Sequence, residues 1–466
     1  MTQNISAGAR PQVTSPAKVA FASFIGTAVE WYDYFLFGTA AVLVFNHQFF
    51  PNLDPTASTL ASLATFAVAF IARPLGGIVF GHFGDRFSRK SMLVWSLLMM
   101  GLSTFLVGLL PTYDQVGLLA PALLVAARVI QGVAVGGEWG GAVLMALEHA
   151  PESKRSFYAS WPQAGVPAGV VLSSFAFFLV QLLPEEQLQA WGWRIPFLFS
   201  AVLIVIGMAI RLKLTESPEF EAAKQLEQPA ARQKIPFIEM LRSSKRALIV
   251  SVFSLAGSNT LFYVATVYLL SYGTSNLTFD RGMILLAVGA GALLDVFAIP
   301  LVATFADRFG RRRMMIVGSL VTVACSFPIF WLFNLGGWGV FAALVIAMPI
   351  AHSFVYATVS GFIATLFTPS VRFTGTSVAY QVGGIVASAP APILATMLYT
   401  QFGSYVAVAA YLLVTNLIAL IAVLFAPKEV PITRAVPVVP AAVEAEERRG
   451  LHRGAEAAGE DEPSWA

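Results

Sequence analysis

Six ionisable side chains interrupt stretches of the sequence that are otherwise apolar: Glu30, Asp33, Arg73, Arg128, Glu138 and Asp295. A lone ionised side chain at the centre of a membrane helix costs at least ~2.5 kcal/mol. We therefore expect these side chains to face the protein interior, to pair with one another, and to mark a path for a solute or an ion. Glu30 and Asp33 are three residues apart and share one helix face.

Asp33 and Arg128 both lie near the middle of their apolar stretches, so the two side chains can meet there. In this interpretation Asp33, together with Glu30, is the proton-coupling site, and Arg128 is its partner. A buried carboxylate whose cationic partner is taken by an anionic solute binds a proton in exchange. The alternative is an ion pair that only holds two helices together.

Other polar side chains within the apolar stretches outline a predicted solute cavity. Arg73 precedes Pro74, so it either binds a substrate carboxylate or satisfies the backbone that a helical proline frees. His352 is interpreted as a packing histidine and Glu138 as a helix-end or inner-gate contact. The predicted substrate-binding residues are Arg73, Arg128, Gln131, Gln163, Trp31, Tyr34, Asn259, Tyr263, Asp295, Tyr356 and Gln381.

The composition indicates what must position these residues. Of 466 residues, 57% are hydrophobic and only 12% are charged, about half the charged share of soluble domains. A membrane-spanning helix needs roughly 20 apolar residues, so the chain has room for a dozen. We predict an all-α membrane protein with spans at about 19–45, 60–82, 91–110, 118–148, 156–183, 194–213, 246–274, 282–305, 314–333, 338–367, 375–401 and 403–426.

Several classes of protein are disfavoured. The single cysteine, Cys325, excludes a disulfide scaffold, and a net charge of +3 with the basic residues in loops argues against a nucleic-acid binder. The polar residues 1–18 are not followed by a signal-peptide cleavage pattern. We find no phosphate-binding loop, no metal-ligand spacing and no hydrolase constellation, so no cofactor, no metal and no enzymatic activity are expected.

Lys and Arg are distributed unevenly between the two sets of loops. Twenty-five of the 29 lie in the termini and in the loops on one side, whereas the opposite loops hold only Arg194 and Arg281. Positive charge marks the cytoplasmic side of a membrane protein. We therefore predict a protein of the cell inner membrane with both termini in the cytoplasm, and we expect it to act as a monomer.

The two halves of the sequence repeat each other. Residues 81–90 read GHFGDRFSRK and residues 303–312 read ATFADRFGRR, at an offset of 222. A duplicated six-span unit is typical of transporters whose halves rock about a central site. The predicted organisation is an N-terminal arm (1–18), a six-helix bundle (19–213), a linker (214–245), a second six-helix bundle (246–426) and a disordered tail (427–466).

Specific motifs resemble a known family. The loop motif at 81–90 and Arg128-x-x-Gln131-Gly132 resemble the major facilitator superfamily. Within it, several stretches resemble the metabolite:proton symporter family, and shikimate permease and its relatives most of all. These stretches are Glu30-Trp31-Tyr32-Asp33, Arg73-Pro74-Leu75-Gly76-Gly77, Gly136-Gly137-Glu138-Trp139-Gly140-Gly141, Gly192-Trp193-Arg194-Ile195-Pro196-Phe197 and Glu216-Ser217-Pro218-Glu219-Phe220. One departure is Ser88, where the superfamily loop usually has Gly.

The resemblance implies two pseudo-twofold-related six-helix bundles and proton-coupled symport of a small polar metabolite, an organic acid such as shikimate, a dicarboxylate or an aromatic acid. Alternatives are a zwitterion symporter for proline or betaine, and an uncoupled facilitator or channel. In both copies of the loop an acid among basic residues is a candidate gate. The gating candidates are Gly81, Asp85, Arg86, Arg89, Lys90, Asp307, Arg308 and Arg311.

Overall fold

The computed structural model describes residues 16–86, 89–136, 143, 146–147, 150–212, 236–368 and 371–430, without the side chains of 78, 80–93, 210–212, 236 and 238. Helices make up nearly all of this part of the chain. The long ones, in chain order, are α1 (Pro16–Gln48), α2 (Pro55–Arg86), α3 (Arg89–Val107), α4 (Leu119–Val135), α5 (Arg155–Val180), α6 (Arg194–Leu212), α7 (Lys245–Ser275), α8 (Arg281–Phe309), α9 (Arg311–Asn334), α10 (Trp338–Thr365), α11 (Arg372–Phe402) and α12 (Tyr405–Leu424).

The twelve predicted spans correspond to these twelve helices. Within the described residues, nine helices are long and apolar enough to cross a membrane, and a tenth span is bent by 44° between the short helix Glu185–Gly192 and α6. The remaining two are the shorter apolar helices Val94–Val107 in α3 and Leu119–Val135, which is α4. The predicted fourth span continues to residue 148, past the point where continuous description stops at Gly136.

The first half of the protein, α1–α6, contacts the second half, α7–α12, along two seams. α5 packs against α1 in its own half and against α8 in the other. α2 packs against α4 in its own half and against α11 in the other. Each seam therefore joins a helix of one half to a helix of the other. Side chains on these four helices can bridge the halves or face the space between them.

Glycines bring α2 and α4 into backbone contact. A Cβ at Gly132 would overlap the carbonyl of Ala69, and one at Gly136 would overlap the carbonyl of Arg73. Small residues allow this close approach between membrane helices. As a result, Arg73 and Arg128 lie on neighbouring helices, and both are buried.

Four of the long helices contain a widened π-helical turn, in which the backbone hydrogen bonds skip one additional residue. They are Ala41–Phe45 in α1, Val264–Tyr268 in α7, Ile346–His352 in α10 and Gly384–Ser388 in α11. Such turns often mark functional sites, because they re-aim nearby side chains. The turns in α7, α10 and α11 follow or contain residues that line the central cavity described next.

Candidate functional site

A small cavity of about 10 Å³ lies between the two halves. α1, α2 and α5 supply one wall, and α7, α10 and α11 supply the other. Of the predicted substrate-binding residues, Trp31, Arg73, Asn259, Tyr263 and Tyr356 line it. The remaining lining residues are Phe70, Val166, Phe262, His352, Tyr380, Gly384 and Ser388.

Arg73 brings a positive charge into this cavity. Only 2% of the residue is exposed, and its guanidinium carbon lies 5.4, 4.9 and 4.3 Å from the ring centres of Trp31, Tyr34 and Phe70. Within the described part of the chain, its Nε has no hydrogen-bond partner. Among the described residues, no ion pair joins it to a carboxylate. The aromatic faces stabilise the cation but leave its hydrogen-bonding capacity free for an anion.

The opposite wall carries a buried acid–histidine pair. The Nδ1 atom of His352 lies 2.8 Å from Oδ2 of Asp295, and both side chains are almost inaccessible. The imidazole stacks against both Phe262 and Tyr356, with ring centres 4.4 and 4.5 Å away. His352 is therefore a polar wall of the cavity, in addition to packing within the second half. Asp295 lies behind it and does not line the cavity.

The structure does not form the expected direct pair between Asp33 and Arg128. Both are buried, but Ser200 donates its hydroxyl to Oδ1 of Asp33 at 2.6 Å. Arg128 instead donates to the side-chain oxygen of Gln131 and, at 3.2 Å, to the carbonyl of Phe66. Neither helix is rotated so that the two side chains meet in this conformation.

A chain of polar side chains nevertheless connects them. The amide of Gln131, which accepts from Arg128, donates to the hydroxyl of Thr104 at 2.9 Å. Thr104 in turn lies against the carboxylate of Asp33. Asp33 and Arg128 are thus connected through two neutral residues, Thr104 and Gln131. Neither Asp33 nor Arg128 lines the cavity.

The other predicted cavity residues serve contacts between helices. Gln163 on α5 donates to the carbonyl of Tyr356 at 3.3 Å, and Gln381 on α11 donates to the carbonyl of Gly136 at 3.0 Å. Both hydrogen bonds cross between the halves. Tyr34 lies between the two arginines, with the guanidinium carbon of each 4.9 Å from its ring centre. Glu30 is buried on α1, and Glu138 lies outside the described residues.

Phe70 and Phe262 line the cavity but were not predicted to do so, and His352 was interpreted only as a packing histidine. Phe70 is three residues before Arg73 and so shares its helix face. Phe262 is adjacent to the predicted Tyr263, and its position depends on the widened turn that follows in α7. His352 could not be placed, because its partner Asp295 is 57 residues away on another helix.

One end of the cavity is closed by the second copy of the loop motif. Asp307 accepts hydrogen bonds from the backbone amides of Ser156 and Phe157, at 2.8 and 3.0 Å. These amides begin α5, where helical N–H groups lack partners and the helix dipole favours an anion. Arg311 adds a hydrogen bond from Nε to the Ser156 hydroxyl at 3.0 Å. We call this the Asp307 end.

The remaining gating candidates contribute no such contact among the described side chains. The guanidinium of Arg308 lies over the ring of its neighbour Phe309, 5.4 Å from the ring centre. Gly81, Asp85, Arg86, Arg89 and Lys90 have side chains outside the described part of the chain. Among the described side chains of the gating candidates, Asp307 and Arg311 make the contacts at the Asp307 end.

Replacing Asp307 by Asn is expected to open the Asp307 end more often. The substitution removes the charge that strengthens two hydrogen bonds, and losing roughly 1.4 kcal/mol changes a population about tenfold. The chain has one cysteine, so Cys325→Ser provides a clean background. In that background, a cysteine at Ser388, which lines the cavity, should react about tenfold faster with a thiol reagent when Asp307 is replaced.

Asp280→Asn is the matched control. Asp280 accepts from the amide of Met283 at 2.7 Å and caps α8, the helix to which it is joined. It does not bridge the halves, so its replacement should leave labelling unchanged. An equal acceleration in both variants would show that the Asp307 contact is not a gate.

The other end of the cavity is joined by an exposed ion pair. Arg281, the first residue of α8, donates to Glu185 of the first half at 3.0 and 3.2 Å. Gln189 donates to the same carboxylate at 3.0 Å. We call this the Glu185 end. Contacts between the halves are therefore present at both ends of the cavity.

Acid should weaken the contact at the Glu185 end. The hydrogen bond from Gln189, followed by the hydrogen bond and charge of Arg281, lowers the pKa of Glu185. The contact is therefore complete above the ordinary glutamate pKa of about 4.3 and is lost as the pH falls through the lowered value. At pH 7, Glu185→Gln should destabilise the solubilised protein by at most about 1 kcal/mol. In strong acid the substitution should not change the stability of the protein.

Thermal unfolding at several pH values measures this difference. Glu186→Gln alters an exposed neighbour and should match the wild type throughout. A Glu185→Gln difference that persisted in strong acid would contradict the assignment, because it could not come from the ionised carboxylate.

The comparisons with known proteins identify the fold and the family. The model of the Major Facilitator Superfamily matches residues 23–389 and 274–453. The chain belongs to this superfamily. A crystal structure of a D-xylose-proton symporter superposes with a TM-score of 0.66 at 18% identity, over 89% of this chain and 98% of that one, and so supports the superfamily fold.

The related sequences are bacterial transporters. The chain is 43% identical to the Inner membrane metabolite transport protein YhjE of Escherichia coli (strain K12), over 84% of this chain and 90% of the relative. It is 42% identical to the Shikimate transporter of the same organism, over 86% of this chain and 92% of the relative. These relatives confirm the resemblance drawn from the motifs. The protein is a membrane-embedded secondary transporter of the superfamily and not an enzyme.

Proposed function

We propose that the protein carries a small organic acid across the inner membrane together with protons, by alternating access. The observation that carries this proposal is Arg73, a buried cation that faces the cavity and has no carboxylate partner among the described residues. A buried charge costs several kcal/mol unless it is paired. An anionic solute that enters the cavity supplies the missing partner, and the planar guanidinium can bind its carboxylate through two parallel hydrogen bonds.

The rest of the cavity suits the body of such an acid. Trp31 and Phe262 offer apolar faces to a ring or carbon skeleton, while Asn259, Tyr263 and Tyr380 offer groups that hydrogen-bond to hydroxyls. Most solute sites combine apolar walls with a few polar groups that set orientation. A hydroxylated or aromatic carboxylate satisfies both parts of the lining.

Alternating access then proceeds by exchanging the two closures. Breaking the Asp307 contacts opens one end, and breaking the Glu185–Arg281 pair opens the other. The two six-helix bundles, 19–213 and 246–426, rock about the cavity as units. The Lys and Arg bias supports an orientation with the Asp307 end and both termini in the cytoplasm.

Proton coupling is assigned to Asp33, with Glu30 on the same helix face. Asp33 is buried and hydrogen-bonded to Ser200, and among the described residues no ion pair joins it to a cation. A carboxyl group in such a setting can exchange its proton when a conformational change wets it. The polar chain through Thr104 and Gln131 links that exchange to Arg128.

Uptake by the purified protein in liposomes tests this function. A panel of labelled shikimate, dicarboxylates, aromatic acids, proline and betaine is offered with an inward proton gradient. We expect accumulation of an organic acid, abolished by an uncoupler. Uptake that only equilibrates, with or without the uncoupler, would indicate a facilitator. Accumulation of proline or betaine alone would contradict the role given to Arg73.

A further inference from the structure

The pair formed by Asp295 and His352 is the strongest titratable cluster that the transport scheme above leaves unused. Asp295 belongs to α8 and His352 to the widened turn of α10. Their side-chain exposures are 0% and 1%. Burying an acid and a titratable base together is costly in a membrane protein, and mere packing needs neither group. Their presence calls for a function.

The geometry leaves one nitrogen of His352 available to the cavity. Nδ1 is 2.8 Å from the carboxylate of Asp295. A carboxylate accepts hydrogen bonds, so Nδ1 carries the proton and Nε2 is the basic atom of the neutral ring. His352 lines the same cavity as Arg73. Stacking on Phe262 and Tyr356 fixes the plane of the ring, so Nε2 keeps a set direction.

The surroundings of the pair contain no competing carboxylate among the described residues. The other titratable or charged groups are Tyr263 on α7, Tyr356 on α10, Tyr380 on α11 and Arg73 on α2. The hydroxyls of Tyr356 and Tyr380 lie 3.2 Å apart and bond to each other. α5 and α9 also pack near the pair, but no hydrogen bond or ion pair joins it to a charged group on either helix within the described part of the chain.

We propose that His352, held by Asp295, is a second proton-binding site of the carrier and that it faces the solute directly. A proton from water binds Nε2 of the neutral imidazole, and Asp295 remains ionised and accepts from Nδ1. The pair passes from a net charge of −1 to 0. Together with Arg73, the imidazolium then makes the cavity cationic on both walls, which favours an anion between them.

This proposal rests on the proposed function because it assumes an anionic solute, and it extends that function by adding a second proton site. The first half contributes Asp33, which lies away from the cavity, whereas the second half contributes a proton site on the cavity wall. Entry of one anion and one proton at this site leaves the net charge of the loaded cavity unchanged. The loaded carrier therefore avoids the cost of an unbalanced charge when the halves rock.

Two kinds of transport assay distinguish a role of this pair in proton coupling from a purely structural role. Uphill accumulation of the acid that the wild type carries, tested first with labelled shikimate, requires proton movement, whereas counterflow between preloaded and external solute does not. In His352→Gln, which keeps a hydrogen-bonding group beside Asp295, accumulation should fall at least about tenfold, while the maximal rate of counterflow at saturating solute, where a loss of affinity is compensated, should fall much less. Asp295→Asn should give the same result as His352→Gln. His47 is an exposed histidine, so His47→Gln should behave as the wild type does.

Two results would overturn the proposal. Undiminished accumulation by His352→Gln would show that its protonation is not needed. Loss of counterflow in step with accumulation in both variants would show that the pair only maintains the fold or the solute site.

A second measurement needs no solute, so it separates this proposal from the identity of the substrate. The chain has five histidines, and ¹³C labelling of the imidazole Cε1 gives one NMR signal for each in the solubilised protein. The signal absent from His352→Gln identifies residue 352. We expect this signal to change when the pH is varied from about 5 to about 8, and to respond differently in Asp295→Asn. A signal that stays constant over this range would refute the proton site even if an organic acid is transported.

Discussion

Replacement of Arg73 by Met is expected to reduce uptake of the organic acid at least about 100-fold, the effect of losing roughly 3 kcal/mol of a charge-assisted carboxylate contact. The same substitution should leave the empty carrier as stable as the wild type, or more so. Arg73 is 2% exposed and its Nε lacks a partner, so the empty protein bears the cost of an unpaired buried charge. Methionine fits among Trp31, Tyr34 and Phe70 without that cost.

The combination of lost uptake and unimpaired stability is the decisive result. Uptake into liposomes and thermal unfolding of the same preparations measure both. Arg73→Lys keeps the charge but not the planar pair of donors, so it should recover only part of the activity. Arg313→Met removes an exposed arginine of α9 and should change neither property. If Arg73→Met instead unfolded readily and Arg73→Lys restored stability, Arg73 would be a structural residue.

Much of the architecture follows from the sequence because the membrane leaves few choices. Apolar stretches that must satisfy their own backbone form helices, so the twelve spans and their order were predictable to within a few residues, apart from the unassigned end of α4. The repeat also placed Arg73 and Asp295 at corresponding points, on α2 and α8, the second helix of each half. Their depth was predictable because it depends only on position along the chain.

Which side chains meet was not predictable in the same way. Each residue turns a helix by about 100°, since one turn takes 3.6 residues, and a small error in rotation moves a side chain from one neighbour to another. A contact between Asp33 and Arg128 was expected, but the carboxylate of Asp33 instead accepts a hydrogen bond from Ser200. The widened turns add to this uncertainty, because Ile346–His352 changes the rotation of α10 just where His352 reaches Asp295.

These rotations decide which charged or titratable groups of each half line the cavity. The first half holds its cation, Arg73, in the cavity and keeps its acid, Asp33, behind it. The second half does the reverse: its acid, Asp295, lies behind the cavity and a base, His352, lines it. Arg73 therefore lies on one wall of the cavity, and His352, held by Asp295, lies on the other. Such walls suit an anion and a proton that must occupy the carrier together.

Replacing Asp33 by Asn is expected to separate solute movement from proton movement. Asparagine keeps the shape and the hydrogen bond with Ser200 but cannot carry a proton. Proton-driven accumulation should therefore fall at least about tenfold, while counterflow remains within about threefold of wild type. Substrate-induced alkalinisation outside the liposomes, recorded with a pH electrode, should disappear along with accumulation.

The matched control is Asp54→Asn, in which an exposed carboxylate that caps the start of α2 is replaced. It lies outside the polar chain and should preserve coupling. Ser200→Ala tests positioning separately, because it removes the hydrogen bond and leaves the carboxyl group of Asp33 in place; alkalinisation should persist in this variant. Undiminished alkalinisation in Asp33→Asn would exclude Asp33 as a proton carrier. Proton coupling would then have to pass through the second half alone, where His352→Gln should abolish it entirely.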